Sequence, residues 1–244
     1  MGEVAVLSIG TTHPWNIAGV GLDLRIGAQL GVRVFTVLAA ISAQDAHGVR
    51  ALEPLSPATV QAQLEAVPWE LVTAVRVGAL GSPAVVHAVA MALAARDLPV
   101  VVDPVVFATG GGALAGEGTL QAIGAELLTL PQVVLTPNLD EAGALLGREI
   151  GRAQLVEAAV ALRSRGARAV LLKGGHLAGE PCDVLADPDG VETFSGQRID
   201  AEMRGTGCML AMALAVALGR GDELRDAVRF ARGLVREKLV LNAR

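Results

Sequence analysis

Val133-Val134-Leu135-Thr136-Pro137-Asn138-Leu139-Asp140-Glu141-Ala142 changes backbone period within a few residues. An apolar run with the character of a strand buried on both faces stops at Thr136-Pro137-Asn138, and a helical pattern over 139–146 takes over. Thr-Pro-Asn ahead of such a pattern is a helix-capping turn. The same alternation extends outward in both directions. Val4–Ile9, Val32–Leu38, Ala74–Val77, Val100–Val102 and Ala169–Leu172 read as further buried strands. Helical patterns lie between them at about 18–30, 58–66, 83–96, 117–128 and 152–165. Strands alternating with helices predict an α/β fold, a mostly parallel central sheet with helices on both faces, joined by right-handed crossovers. Asp187-Pro188-Asp189-Gly190 is a strong turn signal between Asp183–Ala186 and Val191–Ser195, which predicts a hairpin at one sheet edge. Two helices at about 207–218 and 222–241 finish the chain. No linker, repeat or low-complexity stretch divides it, so 1–244 is expected to form one domain.

Composition excludes several function classes. The 244 residues are 52% hydrophobic, carry a net charge of −5 and include no tyrosine. Without a basic run or aromatic stacking platforms there is no footprint for nucleic acid. Apolar stretches are broken by Gly, Pro or charge before membrane-spanning length, so no membrane partner is expected. Two cysteines, Cys182 and Cys208, make no disulfide framework, and the N-terminal residues lack the pattern of a signal peptide. A cytoplasmic location is the expectation.

Polar residues gather where the predicted strands end. Gly10-Thr11-Thr12-His13 follows the first strand, Asp103-Pro104 follows Val100–Val102, and Asn138 and Glu141 follow Val133–Leu135. Lys173-Gly174-Gly175-His176 follows Ala169–Leu172. Ligands of open α/β sheets bind outside the carboxyl ends of strands, so these clusters are expected along one rim. Taken singly, each is an ordinary capping turn or loop. Arg204-Gly205-Thr206-Gly207-Cys208-Met209-Leu210 adds a glycine-rich turn opening into an apolar helix. First-turn amides have no intrahelical partner, so two glycines there can turn several N–H groups on one anion. Such a turn also serves for tight packing alone.

A thiol in that field is expected to favour its thiolate. Asp103, Asn138 and Glu141 are oxygen donors of the type Mg²⁺ accepts, and Lys173 offers a mobile positive charge for a phosphate tail. Amides at 205–208 suit charge on a transferring phosphoryl group, with Cys208 as proton acceptor for an attacking hydroxyl. These parts describe phosphoryl transfer from a nucleotide to a small alcohol. Neither a Walker motif nor a dinucleotide fingerprint is present.

With these motifs in order, the chain resembles the hydroxymethylpyrimidine/phosphomethylpyrimidine kinases of thiamin biosynthesis, in the ribokinase-like superfamily. The resemblance runs from the first strand to the last helices. It is carried by Ser42-Ala43-Gln44-Asp45, Val77-Gly78-Ala79-Leu80, Asp103-Pro104-Val105, Thr136-Pro137-Asn138-Leu139-Asp140-Glu141-Ala142, Leu172-Lys173-Gly174-Gly175-His176 and Gly205-Thr206-Gly207-Cys208. It implies a three-layer α/β/α ribokinase-like sandwich, often a homodimer. It also implies ATP-dependent phosphorylation of 4-amino-5-hydroxymethyl-2-methylpyrimidine or of its monophosphate. Gln44 then matches the residue that reads the pyrimidine edge, with Ala18, Asp23, Ala43 and Val105 around the substrate. Asp103, Asn138 and Glu141 match positions around Mg²⁺ and the nucleotide phosphates. Asn138, Lys173 and Thr206 match nucleotide contacts. Gly205, Thr206 and Gly207 match the anion hole, and Cys208 the catalytic base.

The resemblance is loosest over Gly10-Thr11-Thr12-His13-Pro14-Trp15-Asn16-Ile17-Ala18-Gly19, where His13 replaces an acid and Trp15-Asn16-Ile17 replaces small residues. That bulk either reshapes the alcohol pocket or lets Trp15 staple the loop onto the following helix. Thr109 stands where a lysine is usual, Arg204 where a histidine is, Met209 where a threonine is, and Arg76 where a lysine is. Arg204 either compensates for Thr109 in capturing a phosphorylated substrate or is a solvated charge. The alternatives are a pyridoxal or pyridoxine kinase, which shares the cysteine version of the site, and a non-catalytic pyrimidine- or nucleotide-binding paralogue. His47 and His87 lack metal-ligand spacing, Cys182 reads as structural, and Met209 with Met212 reads as core packing.

Overall fold

The first strand, β1 (Ala5–Thr12), is buried along nearly its whole length and pairs in parallel with β2 (Arg33–Asp45) on one side and β4 (Ala74–Val77) on the other. The order is completed by β3 (Gly48–Pro54), β5 (Val100–Val102), β6 (Val133–Leu135), β7 (Ala169–Leu172), β8 (Cys182–Asp187) and β9 (Gly190–Ser195). In this computed structural model, which describes residues 3–45, 47–108, 111–175, 179–201 and 203–243, they form one nine-stranded sheet. Its order is β3-β2-β1-β4-β5-β6-β7-β8-β9, antiparallel at β3, β8 and β9 and parallel between. The chain leaves β1 in one direction and returns at β4 on the other side. That reversal is the topological switch beside which α/β sheets bind ligands.

Helices cover both faces. One apolar layer includes α2 (Pro57–Glu65), α3 (Pro83–Ala94), α4 (Thr119–Ala122), α5 (Leu139–Leu146) and α6 (Leu155–Arg163); the other includes α1 (Gly19–Leu30), α7 (Thr206–Gly219) and α8 (Leu224–Asn242). Serines 56 and 82 cap α2 and α3 by accepting the N–H of Thr59 and Val85, each followed by a proline suited to the first helical position. Residues 209–218 of α7 are all buried, which a helix apolar on every side requires. Met209 and Met212 belong to that packing, as expected.

Some expected boundaries shift. The run Val32–Leu38 continues through Asp45 and pairs with β3, which no apolar run announces: beyond Leu38 both strands leave the covered sheet and alternate polar with small residues. The pattern at 117–128 begins as α4 at Thr119 and widens into a π-turn over Ile123–Leu127, and that at 152–165 opens with a 3₁₀ turn at Arg152–Gln154. Cys182 begins β8 and packs on the core. His87 pairs with Glu126 at 2.7 Å on the surface, and His47 sits in the exposed turn before β3. No helix among the described residues is long and apolar enough to cross a membrane.

The predicted hairpin is tied down by α8. Arg225 makes a bidentate contact with Asp187 at 2.9 and 3.0 Å, while Asp187 also accepts the Asp189 N–H across the turn. Hydrogen bonds from Arg225 hold the Asp187 carboxyl below the usual carboxylate range. A depressed folded pKa contributes stability above the ordinary range and loses it as pH falls through the folded value. Asp187→Asn is therefore expected to lower the melting temperature at neutral pH, the gap from the parent closing at acid pH. A gap that persists in acid would assign the effect to turn geometry instead of charge.

Candidate functional site

The neighbouring strands β5, β6 and β7 bring three of the expected residues together. Asp103 follows β5 and continues its ladder through its N–H to the Val77 carbonyl. Asn138 caps α5 after β6, accepting the Glu141 N–H at 2.8 Å while Glu141 accepts the Asn138 N–H at 2.8 Å. Lys173 follows β7 and pairs with Asn138 by a bridge, its N–H on the Pro137 carbonyl. Its ammonium then reaches Asp103 Oδ1 at 2.8 Å. Lys173 is thus fixed, not mobile as its long side chain suggested.

The start of α7 lies over this pair. Gly205 caps the helix at φ 76°, where a side chain would be strained and a Cβ would run into the Ile17 carbonyl and Leu22. A Cβ at Gly207 would sit 3.1 Å from Lys173 Nζ and 3.9 Å from both Asp103 oxygens. Two glycines therefore let the helix start approach α1 on one side and the lysine–aspartate pair on the other. Thr206 occupies the first helical position, and its neighbours 205–208 are all half-buried.

Beneath them is a charge line the sequence did not announce. Arg76 is fully buried, with Nη1 3.3 Å from Asp23 Oδ2 and Nη2 3.1 Å from Asp103 Oδ2. Asp23 also accepts the Ser8 hydroxyl at 2.6 Å. The available signal was a lone arginine in the apolar strand Ala74-Val75-Arg76-Val77, since a cation enters such a strand only with acids to meet it. Burial opposes charge on Lys173, yet Asp103 and Glu141 raise its pKa; burial likewise opposes the Asp103 carboxylate, yet Lys173 and Arg76 lower its pKa.

Several expectations change on this geometry. Asp23 is fully buried and held by Ser8 and Arg76, behind the residues of the rim and not among those that it exposes. Ala43 is exposed while Ser42 and Gln44 are buried, so strand alternation turns it away from the face Gln44 presents. The Cys208 thiol does not gain a thiolate bias: burial pushes its pKa up, and Arg76 and the Gly19 N–H only partly offset this. Burial likewise pushes Glu141 up to about 7. Trp15, 55% exposed, does not staple the loop. His13 is buried there instead, accepting the Ala18 N–H through Nε2 at 3.3 Å. Ala18 leads into α1, Val105 lies two residues beyond Asp103, and Arg204 donates to the Asp45 carbonyl at 3.1 Å, next to Gln44. Thr109 and His176 lie outside the described residues.

The three proposed Mg²⁺ donors are not equivalent. Both Asp103 oxygens are taken by cations, and among the described residues no three His, Cys, Asp or Glu side chains group as a metal shell. Asn138 Oδ1 and Glu141 Oε2 each accept one N–H of the capping box, which leaves these side chains acceptor capacity suited to an ion that keeps its waters.

Sheet, helix layers and this rim define a phosphotransferase of the ribokinase-like kind. The family model described as phosphomethylpyrimidine kinase matches residues 15–243. A hydroxymethylpyrimidine/phosphomethylpyrimidine kinase from Rhizobium meliloti is 40% identical over 231 residues, 93% of this chain and 86% of that protein. The crystal structure of phosphomethylpyrimidine kinase from Clostridium difficile matches with a TM-score of 0.85 and 27% identity, over 97% of this chain and 100% of that one. The pyridoxal kinase of Staphylococcus aureus in complex with AMP-PCP and pyridoxal matches with a TM-score of 0.86 and 27% identity, over 97% and 87%. The chain belongs to the phosphomethylpyrimidine kinase family.

Gly205→Ala tests the helix start. Forcing a side chain into φ 76° costs roughly 1–3 kcal/mol and displaces Ile17. The variant is expected to melt earlier and to bind ADP more weakly in calorimetry; parent-like values for both would remove the role given to this turn.

Proposed function

We propose that this protein transfers the γ-phosphoryl group of ATP to the hydroxymethyl oxygen of 4-amino-5-hydroxymethyl-2-methylpyrimidine and, in a second reaction, to a phosphate oxygen of the resulting monophosphate, releasing one ADP each time. The carrying observation is the approach of Gly207 to Lys173 and Asp103, which puts helix-start amides, a fixed ammonium and the Cys208 thiol around one point. The relatives' names supply the substrate class. In this reading the alcohol oxygen forms a bond to the γ-phosphorus as the bond to the ADP oxygen breaks. In the first reaction the alcohol proton passes to Cys208 in its thiolate form, the minor form that burial disfavours and that Arg76 and the Gly19 N–H partly restore. Amides of 205–208 meet charge on the phosphoryl oxygens, and Lys173 orients the phosphates. Asn138 and Glu141 would hold a Mg²⁺ ion brought by the nucleotide, which would supply charge neutralisation. Buried Gln44, with Ala18 and Val105, supports recognition of a flat ring. Arg204, bridging the anion turn to the residue after Gln44, supports capture of the monophosphate. The same reading carries a cytoplasmic homodimer.

Pyridoxal is the competing alcohol, because the S. aureus pyridoxal kinase superposes as well as the pyrimidine kinase does. The deciding experiment supplies Mg-ATP with the pyrimidine alcohol, its monophosphate or pyridoxal, and follows ADP release. The pyrimidines are expected to give the higher kcat/KM, and preference for pyridoxal would overturn the substrate. Cys208→Ser is expected to lower kcat about 100-fold or more, within the range for loss of a general base, while ADP affinity stays near the parent's. Parent-like turnover in that variant would assign the proton to solvent.

A further inference from the structure

Arg76 is the largest fully buried side chain among the described residues. Strand register sets it opposite Ser8 of β1, and its guanidinium spans two carboxylates from different elements, Asp23 of α1 and Asp103 after β5. The backbone is shaped around it, for a Cβ at Gly78 would collide with Nη1 and one at Gly10 would stand 3.6 Å from it. Stability does not account for the arrangement. Buried ion pairs are commonly matched or exceeded by apolar groups of similar size. This one also leaves Asp23 Oδ1 and Arg76 Nε without hydrogen-bond partners. Its far end has a use: Asp103, gripped through Oδ2 by Arg76, offers Oδ1 to Lys173 directly beside Gly207.

We propose that Arg76 is a positioning residue for phosphoryl transfer, fixing Asp103 so that Lys173 is held beside the start of α7, with Asp23 as the counter-charge that aims the guanidinium. Arg76 touches no substrate. It acts through Asp103, which the ADP affinity reads, and through the neighbouring Cys208 thiol, which bears on kcat alone; an ammonium or guanidinium at this position meets the requirement where a neutral side chain does not. The inference deepens the kinase reading above and rests on it for the turnover measurement alone.

Arg76→Met by itself strands two buried carboxylates and is expected to fold poorly. The informative variant removes both charges, Asp23→Leu with Arg76→Met, and Arg76→Lys is the conservative control. Melting temperature, ADP affinity by calorimetry, and kcat and KM with the pyrimidine alcohol are measured for each. The double variant is expected to melt close to the parent, bind ADP about tenfold more weakly and lose about 100-fold in kcat, the scale set by misplacing a catalytic group. Its KM for the alcohol should stay within about twofold, since ground-state binding of the alcohol does not use Asp103. Arg76→Lys should recover most of the ADP affinity and kcat. A double variant with parent-like ADP affinity and kcat would reduce the line to a structural pair. A folded Arg76→Lys as weak as the double variant would show that charge at this position is not what counts. If the parent binds ADP but phosphorylates neither alcohol, the kinase reading falls, and the ADP affinities still decide the role of Arg76.

Discussion

A charge taken out of water needs its opposite close at hand, and the carboxyl rim of this sheet depends on that requirement. Asp23, Arg76, Asp103 and Lys173 lie in one line, each contact between 2.8 and 3.3 Å. The members come from α1, β4 and the ends of β5 and β7, so the line forms only when sheet order and strand register are correct. Remote segments of chain are thereby tied to one geometry. Removing a member leaves an unpaired buried charge, whereas ordinary core positions here lose only apolar contact. The parallel Val-rich strands provide the dry surroundings that make the line sensitive to such changes.

Close backbone approach is the second constraint, and it converts the charge line into a site. The Gly205 turn brings α7 against Ile17, and Gly207 brings it against Lys173. Gly19, at φ 58°, does the same for the start of α1, where a Cβ would run into the Thr11 carbonyl. Two helix starts therefore converge above the buried carboxylates. The Gly19 N–H of one is directed at the Cys208 thiol in the first turn of the other. Anion binding at such a place follows from backbone geometry, and the side chains around it set what the anion is attached to.

Much of this was legible in the residues because parallel strands buried on both faces leave unmistakable apolar runs, as at Val100–Val102 and Val133–Leu135. Their abrupt polar endings located Asp103, Asn138, Glu141 and Lys173 on one rim. The strand pair β2–β3 beyond Leu38 was not legible, because outside the helix-covered sheet it carries no continuous apolar signal. Asp23 and Arg76 were harder for a different reason. Sequence shows a charge but not its depth, and depth decides whether a carboxylate binds a ligand or neutralises a neighbour. Cys208 shows the same limit: the helix start argues for a thiolate, while burial, visible only in the fold, argues against it and prevails.

Counting charge at the rim clarifies what a phosphorylated ligand would meet. Arg76 and Lys173 contribute two positive charges, and Asp23 and Asp103 face them directly. As carboxylates Asp23 and Asp103 cancel those two charges, and burial pushes Glu141 up to about 7, so that it adds less than a full negative charge at neutral pH. Among the described residues this line carries no surplus of fixed cation for a triphosphate, unlike a site built on unpaired arginines. Attraction must then come from sources that are neutral in formal charge, the amides at the start of α7, together with counter-ions that travel with the nucleotide. Such a site discriminates by geometry more than by sign. A bare anion gains little from a balanced pair, but a phosphoryl group placed between the amides and Lys173 is held by fixed dipoles where its charge grows during transfer. The same balance explains why a buried arginine is tolerable here: Asp23 and Asp103 offset its charge, and Asp103 also meets the half-buried Lys173 ammonium.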